Sequence, residues 1–431
     1  HPVATWLAGL ERDARTSRLD LARFGRDDVR AQVAAILGHA PDEAQVERIH
    51  ARSEGNPYFV EELVAVEQRG RGEPLPRTLA ETLAQQIARL PEPTQRILGV
   101  FAVAGRPIDE RLVAAVTERP EEELREAVRA AVAGGVLVPD AGSAALRPRH
   151  ALLGEVVETS LLPSERRHLH ERFATVLSER PALAGGAAGA SGAAGLAAEL
   201  ARHWLRADRP VEAYRASIAA AAQAESVHAY ASAVRQYAQA LDLEGRLTDA
   251  ERAAPGLPDA VELRRRAARA ADDIGDNDRA ITWLREALAR VDPVAQPEAA
   301  GLLHSRLGYS LWAADRNEEA AQEHREAVRL VPSEPPTSAR ARVLVGLGGW
   351  LMGSGRYGES RRICEEAAAC AVAAGAPAEE GRARSNLGSD LVSLGEVAAG
   401  IAELEKARRI GEEHGLVDTL LPASASLSDQ R

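Results

Sequence analysis

The chain has 431 residues, 45% of them hydrophobic and only 3% aromatic, with a formal charge of −11. That length exceeds what one core usually covers, so two or three domains are expected, and an ordinary apolar fraction excludes global disorder. The charge is spread along the chain and gives no argument for nucleic-acid binding, while no apolar run approaches membrane-spanning length and no signal peptide opens the sequence.

Ala, Leu, Val, Arg and Glu dominate, a mixture that suits close-packed helices better than sheets. Cys364 and Cys370 are the only cysteines, which excludes a disulfide framework and points to a reducing, cytoplasmic setting. The chain begins at His1 without an initiator Met and is expected to be a fragment. It contains a single lysine, Lys406, so no GxxxxGK[ST] phosphate-binding loop is present.

In chain order, residues 2–15 read as a helix, and Leu19, Leu21 and Phe24 mark a short strand whose sheet must lie elsewhere. Helices are expected at about 26–37 and 42–53, followed by the corner Gly55-Asn56-Pro57. From Leu75 three short helices are separated by Pro91-Glu92-Pro93 and Gly105-Arg106-Pro107. A fourth opens on Glu121-Glu122-Glu123, which complements the helix dipole, and ends at Gly134-Gly135. Val136-Leu137-Val138, a turn at Asp140–Ser143 and the return through "AALRPRHALLGEVVETSL" complete a helix–helix–wing–helix order, the winged-helix pattern. Residues 182–196 are Gly/Ala/Ser-rich and uncharged, as a flexible linker would be.

After the linker the chain repeats. "LGYSLWAADRNEEAAQEHREAV", "LGGWLMGSGRYGESRRICEEAA" and "LGSDLVSLGEVAAGIAELEKAR" begin at Leu307, Leu347 and Leu387, forty residues apart each time. Small residues hold register at Ala268, Gly308, Gly348 and Gly388, at Ala280, Ala320, Ser360 and Gly400, and at Ala287, Ala327, Ala367 and Ala407. The turn recurs at Gly275, Asp315, Gly355 and Gly395. Small residues at fixed points of a helix–turn–helix unit let helices approach closely, the tetratricopeptide (TPR) logic with a lengthened period. "HWLRADRPVEAYRASIAAA" and "SAVRQYAQALDL" read as two less regular units.

The corner explains itself locally: Gly ends a helix, Asn caps the next, and Pro opens it. A helix N-terminus can bind phosphate, but Glu61 and Glu62 oppose an anion here, so a ligand at this corner would touch it through a base or sugar. Arg166, Arg167, His168 and His170 read as a solvated helix face, and the two histidines, two residues apart, splay around a helix, which argues against a metal site. Cys364 and Cys370 read as small packing residues. No nucleophile–base arrangement stands out, so no catalytic residue and no metal ligand is expected.

"RSEGNPYFVEEL" resembles the segment near the end of the ATPase module in STAND-class (signal transduction, AAA+-related) ATPases, especially the large LuxR-family transcriptional regulators. "HPVATWLAGLERDARTSRLDLARF", "LPRTLAETLAQQIARLPEPTQRILGVFAVAGRPID" and "RPRHALLGEVVETSLLPSERRHLHERFA" resemble the flanking blocks in the same order, ahead of TPR-like repeats. The resemblance implies an adenine pocket lined by Gly55, Asn56 and Pro57, and a winged-helix histidine, His150, that senses the β-phosphate of ADP. Pro148 departs from the family, which usually carries an aromatic there. The implied fold is mainly α: an ATPase lid remnant over 1–74, a winged-helix regulatory domain over 75–180, a Gly/Ala linker over 181–196 and a TPR-like α-solenoid over 197–431.

The implied parent is a slow regulatory ATPase using ATP/ADP with Mg, self-associating on activation. Its solenoid would bind a protein or small-molecule inducer, and it would reach DNA only through a C-terminal domain beyond Arg431. This chain alone would not catalyse. Two alternatives stay open: an ATPase–TPR module serving a cyclase or protein kinase, and a TPR scaffold without nucleotide.

Overall fold

The computed structural model describes residues 22–69, 77–140, 142–184, 192–252 and 255–416. Among the described residues there are twenty-one α-helices, one 3-10 turn and one two-stranded hairpin, so the fold is mainly α. Two compact units divide it, residues 1–192 with Arg202–Arg209, and Ala193–Ala201 with residues 210–431. The helix expected at 2–15 and the strand residues Leu19 and Leu21 lie outside the described residues.

The first unit opens with three helices, α1 (Arg26–Leu37), α2 (Glu43–Ser53) and α3 (Pro57–Arg69). Their periodic apolar positions make a small core of Val29, Val33, Val46, Ile49, Val60, Leu63 and Val64. Gly38, in the left-handed region, ends α1, and Asp42 caps α2 by accepting from the Gln45 amide.

Helices α4 (Arg77–Ala88), α5 (Glu92–Ala104), α6 (Glu110–Thr117) and α7 (Glu121–Ala133) follow. Every residue of α5 from Ile97 to Ala104 is buried, so it is the central helix of this part. Strands β1 (Leu137–Pro139) and β2 (Leu146–Pro148) pair antiparallel with Val138 opposite Arg147. Ile108 exchanges both backbone hydrogen bonds with Leu146, at 3.0 and 2.8 Å, which adds a third edge. Helices α8 (Ala151–Ser160) and α9 (Pro163–Glu179) close the order read from the sequence.

The stretch 181–196 is helical at both ends. Residues Pro181–Ala184 form a 3-10 turn and α10 (Gly192–Arg206) begins inside it, because alanine is the strongest helix former and offsets the glycines. Residues 185–191 lie outside the described residues.

The second unit is a TPR-like α-solenoid of antiparallel helix hairpins. They are α11 (Pro210–Ser226) with α12 (Tyr230–Glu244), α14 (Ala260–Asp272) with α15 (Asn277–Leu288), α16 (Pro297–Ala313) with α17 (Asn317–Leu330), α18 (Ser338–Gly353) with α19 (Tyr357–Ala373), and α20 (Pro377–Ser393) with α21 (Val397–His414). A short α13 (Asp249–Arg252) joins the first two. The four turn residues read from the repeat all have positive φ, including Asp315 at 60°. All twelve small residues named above are buried. At Gly388 and Gly400 the requirement is absolute, since a Cβ on either would stand 2.9 or 2.6 Å from the other's carbonyl oxygen.

Candidate functional site

The corner between α2 and α3 is built as the local rules anticipate, and tertiary contacts then fix it. Glu54 (φ 49°) and Gly55 (φ 72°) are successive left-handed residues that end α2. Asn56 caps α3 by accepting from the Tyr58 amide at 3.1 Å, and Pro57 is the first helical residue. Phe24, in the extended segment before α1, donates its N–H to the Gly55 carbonyl at 2.8 Å. A Cβ on Gly55 would lie 2.1 Å from the Phe24 carbonyl oxygen, so only glycine fits. Gln32 of α1 donates to the Pro57 carbonyl at 2.9 Å from the other side.

His150, the N-cap residue of α8, comes to this corner. Its Nδ1 lies 3.7 Å from the Glu54 carboxylate, outside hydrogen-bond range, and its ring stands edge-on to Phe59 with centroids 5.5 Å apart. The ring is four-fifths buried and Nδ1 has no hydrogen-bond partner. Burial lowers its pKa below the usual value; Glu54 pulls it back up, while Arg23 and Arg149 push it down again. At neutral pH the imidazole is therefore uncharged.

Glu54 is itself held by Arg23 at 2.7 Å and Arg147 at 3.4 Å. Two guanidinium groups, those of Arg23 and Arg147, thus hold the carboxylate beside a neutral histidine, and Arg149 is near enough to that histidine to lower its pKa. Arg52 and Glu155 form a bidentate pair, at 3.0 and 2.6 Å, that locks α2 to α8 and keeps His150 in place. The exposed ring of Tyr58 flanks Phe59, with centroids 6.1 Å apart. The chemistry available is recognition: a cationic rim, an imidazole and a proline-glycine wall, with no nucleophile in reach.

All four residues singled out in the sequence, Gly55, Asn56, Pro57 and His150, therefore belong to one neighbourhood. Sequence reasoning missed Glu54, Arg23 and Arg147, for which only the alternation Arg147-Pro148-Arg149-His150 gave any signal. Glu61 is exposed on α3, and the side chain of Glu62 is outside the described residues.

The reading of Arg166, Arg167, His168 and His170 as one solvated face needs correction at His170. Arg167 and His168 are exposed, but His170 is 1% exposed, with Nδ1 2.9 Å from the Nδ1 of His203. Phe173 stacks on His203, and Arg202 donates to the Nε2 of His203 and to the Val103 and Ala104 carbonyls that end α5. Burial, with His203 and Arg202 beside it, lowers the His170 pKa to about 3. Cys364 is fully buried and Cys370 partly so, both as free thiols. Among the described residues no group of three or more His, Cys, Asp or Glu is placed to hold a metal ion, and no helix is long and apolar enough to cross a membrane.

No protein-family model and no curated protein sequence matches the chain. Among solved structures it is similar to BtubC from P. vanneervenii, at 18% identity over 57% of this chain and 92% of that one, with a TM-score of 0.39. It is also similar to a STAND protein with a tetratricopeptide repeat sensor from Pyrococcus horikoshii, at 12% identity and a TM-score of 0.36. That match covers 96% of this chain but 64% of that one, so the chain spans less than two thirds of its length. A third is YrrB, a TPR protein with an unusual peptide-binding site, at 18% identity over 49% of this chain and 90% of that one, with a TM-score of 0.29. With TM-scores below 0.5 these likenesses assign no function.

Proposed function

We propose that the chain is the regulatory part of a STAND-type nucleotide switch. In this reading Gly55, Asn56 and Pro57 line an adenine pocket, and His150 donates a hydrogen bond toward the diphosphate of ADP. The observation that carries it is the meeting of the corner with His150, almost a hundred residues further along the chain, through Glu54 and Phe59. Arg23 and Arg147 at Glu54, with Arg149 near His150, support an anionic ligand there. A neutral, largely buried imidazole is suited to donate to a phosphate without its own charge being required.

The phosphate-binding loop and the Mg site would come from polypeptide preceding His1, making the parent a slow regulatory ATPase. The segment 75–180, with its central α5 and the β1–β2 hairpin, would serve as the winged-helix coupling domain. The solenoid would act as a sensor for a partner, and a LuxR-type DNA-binding domain beyond Arg431 would be the effector. Coupling requires an element whose equilibrium both ligands bias, and Arg52–Glu155, which ties the corner to α8, is the link that a change at the corner would strain.

Histidine NMR tests the site. Adding ADP to the longer protein that carries the phosphate-binding loop should move the ring signals of His150 and leave those of His170 and His203, on the far side of α8 in sequence, unchanged. No movement at His150 with saturating ADP would contradict the assignment. A nucleotide-free scaffold is the second reading, favoured by the Glu54 carboxylate 3.7 Å from the imidazole.

A further inference from the structure

The α18–α19 hairpin departs from its neighbours where the forty-residue register predicts sameness. In the hairpins on either side, a hydrogen-bonded side-chain pair spans the two helices: His304 with Glu323 at 2.5 Å, and Arg384 with Glu403 at 2.8 Å. The equivalent positions here are Leu344 and Ile363, which pack together instead. Trp350 stands where the flanking repeats have Ser310 and Asp390, and Arg362 where they have Gln322 and Ala402.

Beside Trp350, Arg362 and Ile363 lies a cavity of about 300 Å³, at the small end of ligand-pocket sizes. Leu347, Leu351 and Ile363 give it an apolar floor, and Trp350, 7% exposed, closes one side with an indole N–H that has no partner. Its rim is charged but unevenly matched. Glu359 is held by Arg356 at 2.8 and 2.6 Å, and Glu366 by Arg340 at 3.2 Å. Arg325 and Arg362, both exposed, make no hydrogen bond or ion pair among the described residues and are near enough to Glu359 to feel its charge. An apolar floor inside a rim with two uncommitted guanidinium groups has the anatomy of an interface centre.

The geometry points to this pocket as the docking site for an acidic peptide segment that seats one aliphatic or aromatic side chain on Leu347, Leu351 and Ile363 and sets flanking carboxylates on Arg325 and Arg362. It rests on the reading of the solenoid as a partner sensor and names the chemistry of the partner. A carboxylate suits a guanidinium because the two can pair through parallel hydrogen bonds.

The test is a random octapeptide library passed over the immobilised full chain and over the Arg325→Ala/Arg362→Ala variant. Peptides retained by the wild type are expected to be enriched in Asp and Glu flanking a Leu, Ile or Phe. The double variant, with melting unchanged because both arginines are exposed, should lose that enrichment, with about tenfold weaker binding per guanidinium removed. Leu344→Arg/Ile363→Glu, which installs the pair of the following repeat, Arg384 with Glu403, should abolish the apolar preference.

Equal enrichment on wild type and double variant overturns the proposal, as does retention without acidic preference. Binding of free glutarate or inorganic phosphate to the arginines without peptide enrichment overturns it in favour of a small-anion site. Each of these outcomes leaves ADP titration at His150 unaffected, so failure here is separable from failure of the switch.

Discussion

Asp390 should make the solenoid less stable at neutral pH than in mild acid, and Asp390→Asn should remove that dependence. The side chain is fully buried on α20 with no cationic neighbour, close to Ser360 and Cys364 of α19. The Ser360 hydroxyl lies 2.5 Å from one carboxyl oxygen and 2.9 Å from the Gly348 carbonyl, and it has one proton to give. Ser360 can donate to only one of the two, and nothing cationic offsets burial of the carboxylate, so folding favours its protonated form.

Burial accordingly pushes the carboxyl from 3.8 to about 6. At ~1.4 kcal/mol per pH unit, that displacement is worth roughly 3 kcal/mol. The pKa is raised on folding, so the stability is fully present below the unfolded value of 3.8 and is lost as pH rises through about 6. Urea unfolding of the whole chain, followed by circular dichroism and tryptophan fluorescence, should find Asp390→Asn close to wild type at acid pH and about 3 kcal/mol more stable at pH ~8. Parallel curves for the two proteins across this range, or a less stable variant at alkaline pH, would refute the reasoning.

Gly55→Ala should cost the first unit more than about 2 kcal/mol, since strain at positive φ adds to a clash with backbone that cannot swing away; thermal melting measures it. Glu244→Ala should be costly in the solenoid, on the order of 2–3 kcal/mol, because Arg264, 3% exposed, would lose its bidentate partner and keep only Glu286 at 3.0 Å. Replacing both residues with leucine should restore most of the loss in the same denaturation assay. For the histidine pair, Arg202 can only donate, so His203 must accept at Nε2 and carry its proton on Nδ1, and His170 must carry its own on Nε2. Nitrogen-15 NMR should find those two different tautomers, with His170 neutral well below pH 6; identical tautomers would contradict the network.

The solenoid was legible because its determinants are local and repeated. Each turn residue and each small contact recurs at one spacing, so every repeat testifies to the others. The corner was legible for a related reason: Gly, Asn and Pro each have a conformational role that neighbouring residues alone reveal. What Gly55 meets was not legible, since the Phe24 carbonyl reaches it from an element outside the corner. The same holds for Glu54, which reads as an ordinary helix-end glutamate until Arg23, Arg147 and His150 are brought to it across the fold.

His170 was misread because its sequence neighbours are charged; its burial is decided by Phe173, Arg202 and His203, and the latter two lie on another helix. The pocket on α18 and α19 sits between these cases. Its residues are visible as breaks in the repeat, but the absence of partners for Arg325 and Arg362 is a property of packing.

Calorimetric titration of ADP most directly tests the central claim, using the chain alone and the longer protein that the switch requires. The account predicts that the longer protein binds ADP, and that Pro57→Ala weakens binding by about tenfold or more, ~1.4 kcal/mol, without lowering the melting temperature. Absence of binding in both, or equal affinity for wild type and Pro57→Ala, would contradict it and leave the corner as a structural joint.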